Sequence, residues 1–209
     1  MSAVRKAAAT PTRDAVYGAA ATLFSSRGFD GVSMDDIARA AEVNKAMIYY
    51  HFADKLALYR SIVSDGLETM SQTVTRIAAG DLTPHAKLDR FIESFVRMTE
   101  TRPWMPAMML REIAEGAPRL DPATMDHMRG IVGSFAAILQ YGQQAGVFRQ
   151  LHPILAYESV IGPIIINAAR ERVAAQPERK NHDFPMLVAI PYDAVIEHMQ
   201  AAARRILTL

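Results

Sequence analysis

The feature that most limits the fold lies between Ser33 and Lys55, in the stretch "SMDDIARAAEVNKAMIYYHFADK". Helical spacing runs through Ile37, Ala38 and Ala41, breaks, and restarts after Asn44. Ser33 with Asp36 three residues later makes a capping-box pattern, and the acid complements the positive end of a helix dipole. Asn44 is suited to cap the second piece, and Asp54 a longer piece after it. Helices this short do not stand alone in water, so they must lean on neighbours. Two of them joined by a tight turn have the form of a helix-turn-helix, whose second helix lies in the major groove of DNA.

The side chains fit that form. Ala38 is small where two helices would cross, Val43 is apolar in the turn, and Ile48 and Phe52 can point inward. Lys45, Ala46, Met47, Tyr49, Tyr50 and His51 are then left to face outward. A tyrosine at a groove edge can donate its hydroxyl to phosphate while its ring covers sugar or a thymine methyl, and Lys45 and Lys55 add charge that draws a polyanion. The competing expectation is that Tyr49 and Tyr50 pack against the helices on either side.

The remainder of the 209 residues is helical in pattern. A first helix is expected over about 11–27, entered through Thr10 and Pro11 and ended by Gly28. A helix after Asp54 carries Leu56, Tyr59, Val63, Leu67, Met70, Val74 and Ile77 in steps of three and four. Further segments fall at about 88–99, 104–115, 121–145, 153–173 and 191–207, divided by turn-rich pieces and by the longer polar "AAQPERKNHDFP". With no strand alternation of useful length, the expected fold is all-α with about nine helices. We place a DNA-binding domain at 1–55, including a basic tail at 1–10, and a larger helical domain at 56–209.

Composition removes other classes. With no cysteine, thiolate catalysis, disulfides and cysteine metal sites are excluded. The opening residues lack the apolar run of a signal peptide, and the longest uncharged stretch is broken by Gln, Ser and Gly, so a cytoplasmic protein without a membrane span is expected. Net charge is only +1, so any phosphate-binding surface must come from local placement.

"GFDGVSMDDIARAAEVNKAMIYYHFADKLAL" resembles the DNA-binding region of TetR-family transcriptional regulators: Gly-Phe, a Ser or Thr cap, Ile-Ala, a turn, then a Tyr-x-His-Phe-x-x-Lys run. The resemblance covers about 11–59. It implies that Ser33, Tyr49 and Lys55 bind backbone phosphate and that Lys45, Ala46, Met47 and Tyr50 lie nearest the bases, after the Asn44 cap. For His51 it implies support of the fold or a phosphate contact. Two positions depart from the family pattern. Glu42 stands where the turn usually has glycine, so a strained left-handed residue is expected there. Ala46 and Met47 replace the more usual Gly and Thr, leaving an apolar side chain able to meet a thymine methyl.

Beyond about residue 80 the resemblance is one of layout. Trp104, Met105, Met108 and Met109, with Phe135 and Pro163 inside its helix, are candidate walls of a site for a small, mostly apolar effector, although ordinary core packing is the commoner reason for such methionines. The faces Ile154, Ile161, Ile165, Ala169 and Val195, Met199, Ala202, Ile206 resemble the helix pair through which this family forms homodimers. The six histidines are scattered, and no serine sits in a nucleophile-elbow pattern, so no metal, cofactor or enzymatic role is expected. Glu112 and Glu115 read as a solvated acidic face. The leading reading is a ligand-responsive repressor of double-stranded DNA. The alternative is a helical protein that binds or processes a small molecule without specific DNA binding.

Overall fold

The computed structural model describes residues 11–174 and 190–209, so the basic tail expected at 1–10 and the polar connection over 175–185 lie outside the described residues. Among the described residues there are nine helices and no strand: α1 Pro11–Arg27, α2 Met34–Ala40, α3 Lys45–His51, α4 Lys55–Ala79, α5 Pro84–Thr101, α6 Met105–Glu115, α7 Pro122–Gln144, α8 Pro153–Ala174 and α9 Tyr192–Leu207. They group into two compact units. The first takes in the chain up to Asp65 together with Ala107–Asp121, and the second Gly66–Pro106 with Pro122–Leu209. The expected division at residue 55 coincides with the start of α4, and compaction adds the next turns of that helix and most of α6 to the first unit.

In the first unit α1, α2 and α3 pack on one another and on the start of α4 around Val16, Ala20, Phe24, Ile37, Ile48 and Leu58, all buried. Phe24 and Phe29 both meet the Tyr59 ring edge-on, at centroid distances of 5.1 and 5.2 Å. The part of α6 that belongs here is held by charge. Arg111 donates from Nη1 to the Phe24 carbonyl (3.2 Å), which also accepts the Gly28 amide (2.9 Å), and from Nη2 to the Ser26 carbonyl (3.1 Å), both at the end of α1.

Glu112 overturns the expectation of a solvated acidic face: its side chain is 0% exposed. Its carboxylate accepts hydrogen bonds from the Tyr59 hydroxyl (2.7 Å) and Arg119 Nη1 (3.0 Å), and Arg119 also pairs with Glu115 and with Asp30 (3.4 Å). The Arg119 guanidinium lies over the Phe29 ring, 5.0 Å from its centroid. Burial, and then the bond to Glu112, push the Tyr59 hydroxyl well above the usual phenol range, so it remains a donor.

In the second unit α5 is the axis, packed by α7, α8 and α9. Thr83 caps it through the Ala86 amide (3.3 Å), Pro84 sits in its first turn, and Leu88, Phe91, Ile92, Phe95 and Val96 recur on one buried face. Phe91 meets Phe135 of α7 at 5.2 Å, and Phe135 meets Tyr157 of α8 edge-on at 5.6 Å. Helix α8 continues through Gly162 and Pro163, both exposed. At the end of α7 the chain folds back so that the Val147 and Phe148 amides donate to the Gly142 carbonyl (2.9 and 3.0 Å), laying the buried Phe148 ring on the glycine.

Two stability changes follow. Glu112→Ala leaves Arg119 and Tyr59 without their buried partner and should cost about 3 kcal/mol, against about 1 kcal/mol for Tyr59→Phe, in denaturant unfolding. Gly142→Ala would set a methyl group inside the Phe148 ring, so a loss of about 2 kcal/mol is expected, read as a lowered midpoint in thermal unfolding.

Candidate functional site

The turn and its two helices are built by local hydrogen bonds. Ser33 Oγ accepts from the Asp36 amide (3.1 Å), while Asp36 Oδ2 accepts from the Ser33 amide (3.0 Å) and hydroxyl (2.7 Å). The bonds from Ser33 hold the Asp36 carboxyl below the usual carboxylate range. After Ala41 the backbone turns left-handed at Glu42, with φ of 54°, and the Val43 amide returns to the Ala38 carbonyl at 3.0 Å. Asn44 then caps α3 by accepting from the Ala46 amide at 2.9 Å.

This places Ile48 and Phe52 in the core and turns the opposite arc of α3 outward. Met47 is exposed, Tyr49 is 48% exposed and Tyr50 is 80% exposed. The tyrosines therefore do not pack into the surrounding helices. Ala46, Met47 and Tyr50 fall on one side of the helix, with Lys45 and Tyr49 one turn apart on its flank. Ser33 and Asn44 are exposed at the two helix starts. His51 is half-buried, its ring edge-on to Tyr50 at 5.0 Å and its enclosed Nε2 without a hydrogen-bond partner among the described residues.

Lys55 is placed differently from the other eight. Its Nζ donates to the carbonyls of Phe29 (3.0 Å) and Val32 (2.9 Å) and lies over the Phe29 ring at 4.2 Å, fastening the loop that leads into α2. One N–H of three remains for another acceptor. Sequence reasoning missed Asp35, whose Oδ2 holds Lys45 Nζ at 2.9 Å and raises the lysine above its usual range. Its place two residues after the Ser33 cap, on the first turn of α2, was the available signal.

The second unit holds a cavity of about 370 Å³ between α4 and α5, with Met70, Thr73, Ser94, Arg97, Met98 and Arg102 among its walls. None of Trp104, Met105, Met108, Met109, Phe135 and Pro163 lines it. Met105, Met108 and Phe135 are fully buried packing residues, and Pro163 falls on the exposed side of α8. Methionine spacing does not tell a core face from a cavity wall. The expected self-association faces are divided too: Ile161 and Val195 are buried within the chain, Ile165, Ala169, Met199 and Ala202 are half-buried, and Ile154 and Ile206 are exposed, as are Leu155 and Ile166 outside those faces. No described helix is long and apolar enough to cross a membrane.

Residues 16–62 match the family model of bacterial regulatory proteins, tetR family. Over this stretch the chain is similar to the DNA-binding region of that family. It is 43% identical over 51 residues to the biofilm operon icaADBC HTH-type negative transcriptional regulator IcaR of Staphylococcus aureus (strain Newman), 24% of this chain and 27% of that protein. The counterpart in Staphylococcus epidermidis is 40% identical over 53 residues, 25% of this chain and 29% of the relative. The chain thus covers little more than a quarter of the length of these curated relatives. Over almost the whole chain the fold is similar to that of the ketosteroid transcriptional regulator KstR2 of Mycobacterium tuberculosis, with a TM-score of 0.77 at 17% identity across 99% of this chain and 100% of that one. The TetR-family regulator PfmR from Thermus thermophilus gives a TM-score of 0.71 at 24% identity, across 93% and 99%.

The left-handed residue in the turn yields a measurable effect. Glu42→Gly removes a side chain from a backbone region that glycine enters freely, and should stabilise the protein by about 0.5–1 kcal/mol, checked by chemical denaturation.

Proposed function

We propose that the protein is a ligand-responsive DNA-binding transcriptional regulator, a repressor that leaves a palindromic operator when a small, mostly apolar effector occupies its helical unit. The observation that carries this reading is the pair of exposed tyrosines on α3, presented by a capped, left-handed turn over a core formed by Ile48 and Phe52. Exposed aromatic surface on a helix of seven residues has no use inside this fold, and it suits a sugar-phosphate edge. In this reading Ser33 and Tyr49 bind backbone phosphate. Lys45, Ala46, Met47 and Tyr50 lie against base edges, Asn44 orients the helix and His51 props Tyr50. Lys55 holds the approach loop and offers its remaining N–H to phosphate.

The chain would act in the cytoplasm as a homodimer, because a two-fold site needs two recognition helices and because α8 and α9 expose Ile154, Leu155, Ile166 and Ile206. Helix α4 begins in the DNA-binding part, placed at 1–55, and runs on past Gly66 into the effector-binding and dimerisation part, so it is the covalent path for coupling. An effector that favours one arrangement a hundredfold supplies about 2.7 kcal/mol of coupling, sufficient to empty an operator at moderate saturation. The relatives named as transcriptional regulators support this class of activity.

A mobility-shift titration against the DNA upstream of the protein's own gene tests the proposal. Sequence-selective binding that weakens steeply with salt is expected, and no selective binding at low salt would refute it. Met47→Ala should change preference at one base position while random DNA binds as before; equal loss on both would remove Met47 from the readers.

A further inference from the structure

We infer that the effector carries one acidic group on a compact apolar body, and that this group draws Arg97 away from Asp193. The inference rests on the reading that the helical unit holds an effector, and it names the chemistry that the cavity selects.

The cavity wall combines two kinds of surface. Met70 and Met98 are apolar, and Gly66 of α4 contributes no side chain because a methyl there would overlap the Met105 methyl. The hydroxyls add little donor capacity. Thr73 Oγ1 donates to the Thr69 carbonyl (2.8 Å), Ser94 Oγ to the Phe91 carbonyl (2.7 Å) and Thr101 Oγ1 to the Arg97 carbonyl (3.0 Å), so these hydroxyl protons are committed to the backbone. The strong donors are guanidiniums. Arg97 lines the cavity, and so does Arg102, whose Nη1 lies 3.4 Å from where a Cβ on Gly66 would stand. A planar fork of this kind matches a carboxylate with two parallel bonds.

Arg97 already has carboxylate partners, and they are the exchangeable sort. Nη1 binds Glu100 at 3.0 Å and Nη2 binds Asp193, whose side chain is 80% exposed. An ion pair that open to water is worth little, so a carboxylate arriving on an apolar body that fills the cavity displaces Asp193 at small cost. The displaced acid sits in the first turn of α9. That helix is otherwise tied to α5 further along, where Gln200 Nε2 donates to the Asp89 carbonyl (3.1 Å) and Arg204 pairs with the Asp89 carboxylate. Exchange at Arg97 therefore removes one tie at the start of α9, where Tyr192 still bonds Glu171 and Val195 and Ile196 stay buried, on a helix that carries the exposed Ile206.

Titration calorimetry on the full chain without DNA tests this, with decanoate and decanol as probes and the fluorescence of Trp104, the single tryptophan, as a second readout. Decanoate should bind about tenfold tighter than decanol, the difference expected of a charge-assisted bond. Arg97→Gln should bring the two affinities together, and Arg97→Lys should restore part of the preference. Asp193→Asn should tighten decanoate about threefold, because it removes the internal competitor, and leave decanol unchanged. That gain is of opposite sign to the loss that a merely structural ion pair would give, and it decides the matter even where Arg97→Gln does not fold. Equal affinity for the two probes, no binding of either, or weaker decanoate binding by Asp193→Asn would each overturn the proposal. Operator binding is measured separately, so failure of the regulator reading appears in the mobility shift and failure of the acidic-effector reading in the decanoate to decanol ratio.

Discussion

The backbone at Glu42 governs where the second helix of the motif can go. With φ at 54° it reverses the chain in a single residue, and the Val43 amide closes the turn on the Ala38 carbonyl. Because the turn is this tight, Asn44 is already in position to cap α3, and Ile48 and Phe52 arrive over the core formed with α1 and α4. The outward arc is then a consequence of helix geometry. Seven residues with two apolar anchors on one side leave Ala46, Met47, Tyr49 and Tyr50 on the other. A side chain at Glu42 strains this turn, but the surrounding bonds over-determine it, as happens where a strained residue persists in a folded protein.

A second constraint is electrostatic and buried. Glu112 is a carboxylate removed from water, tolerated because Tyr59 and Arg119 donate to it and because Arg119 is further shared with Glu115 and Asp30. Phe29 is pinned between the Lys55 ammonium and the Arg119 guanidinium, and its loop leads into the Ser33 cap. The cap that starts α2 is thus steadied by a charge network supplied by a segment some eighty residues further along the chain.

What the sequence made legible was local. Ser33, Asn44 and Asp54 each cap through a side chain reaching two or three residues ahead, so the helix starts are written in adjacent letters. The motif, the inward Ile48 and Phe52, and the strained Glu42 could be read for the same reason. What escaped depends on distance. Glu112 looked like surface because Tyr59, its donor, is 53 residues away. Lys55 looked like a free phosphate ligand because the carbonyls it holds, at Phe29 and Val32, belong to a loop 23 to 26 residues earlier. The cavity escaped because Met70 and Met98 share its walls with threonine, serine and arginine, residues that read as solvent-facing until two helices enclose them.

The first unit is discontinuous in sequence: its last piece, Ala107–Asp121, comes after a long excursion through the second. Arg111, which donates to two carbonyls at the end of α1, and Arg119, which answers Glu112, are both absent until that piece has been made. A nascent chain therefore cannot complete this unit when Asp65 leaves the ribosome. The unit closes only after the middle of the molecule has emerged, so an incomplete polypeptide carries α1 to α3 without Arg111 and without the Glu112–Arg119 pair that brace them.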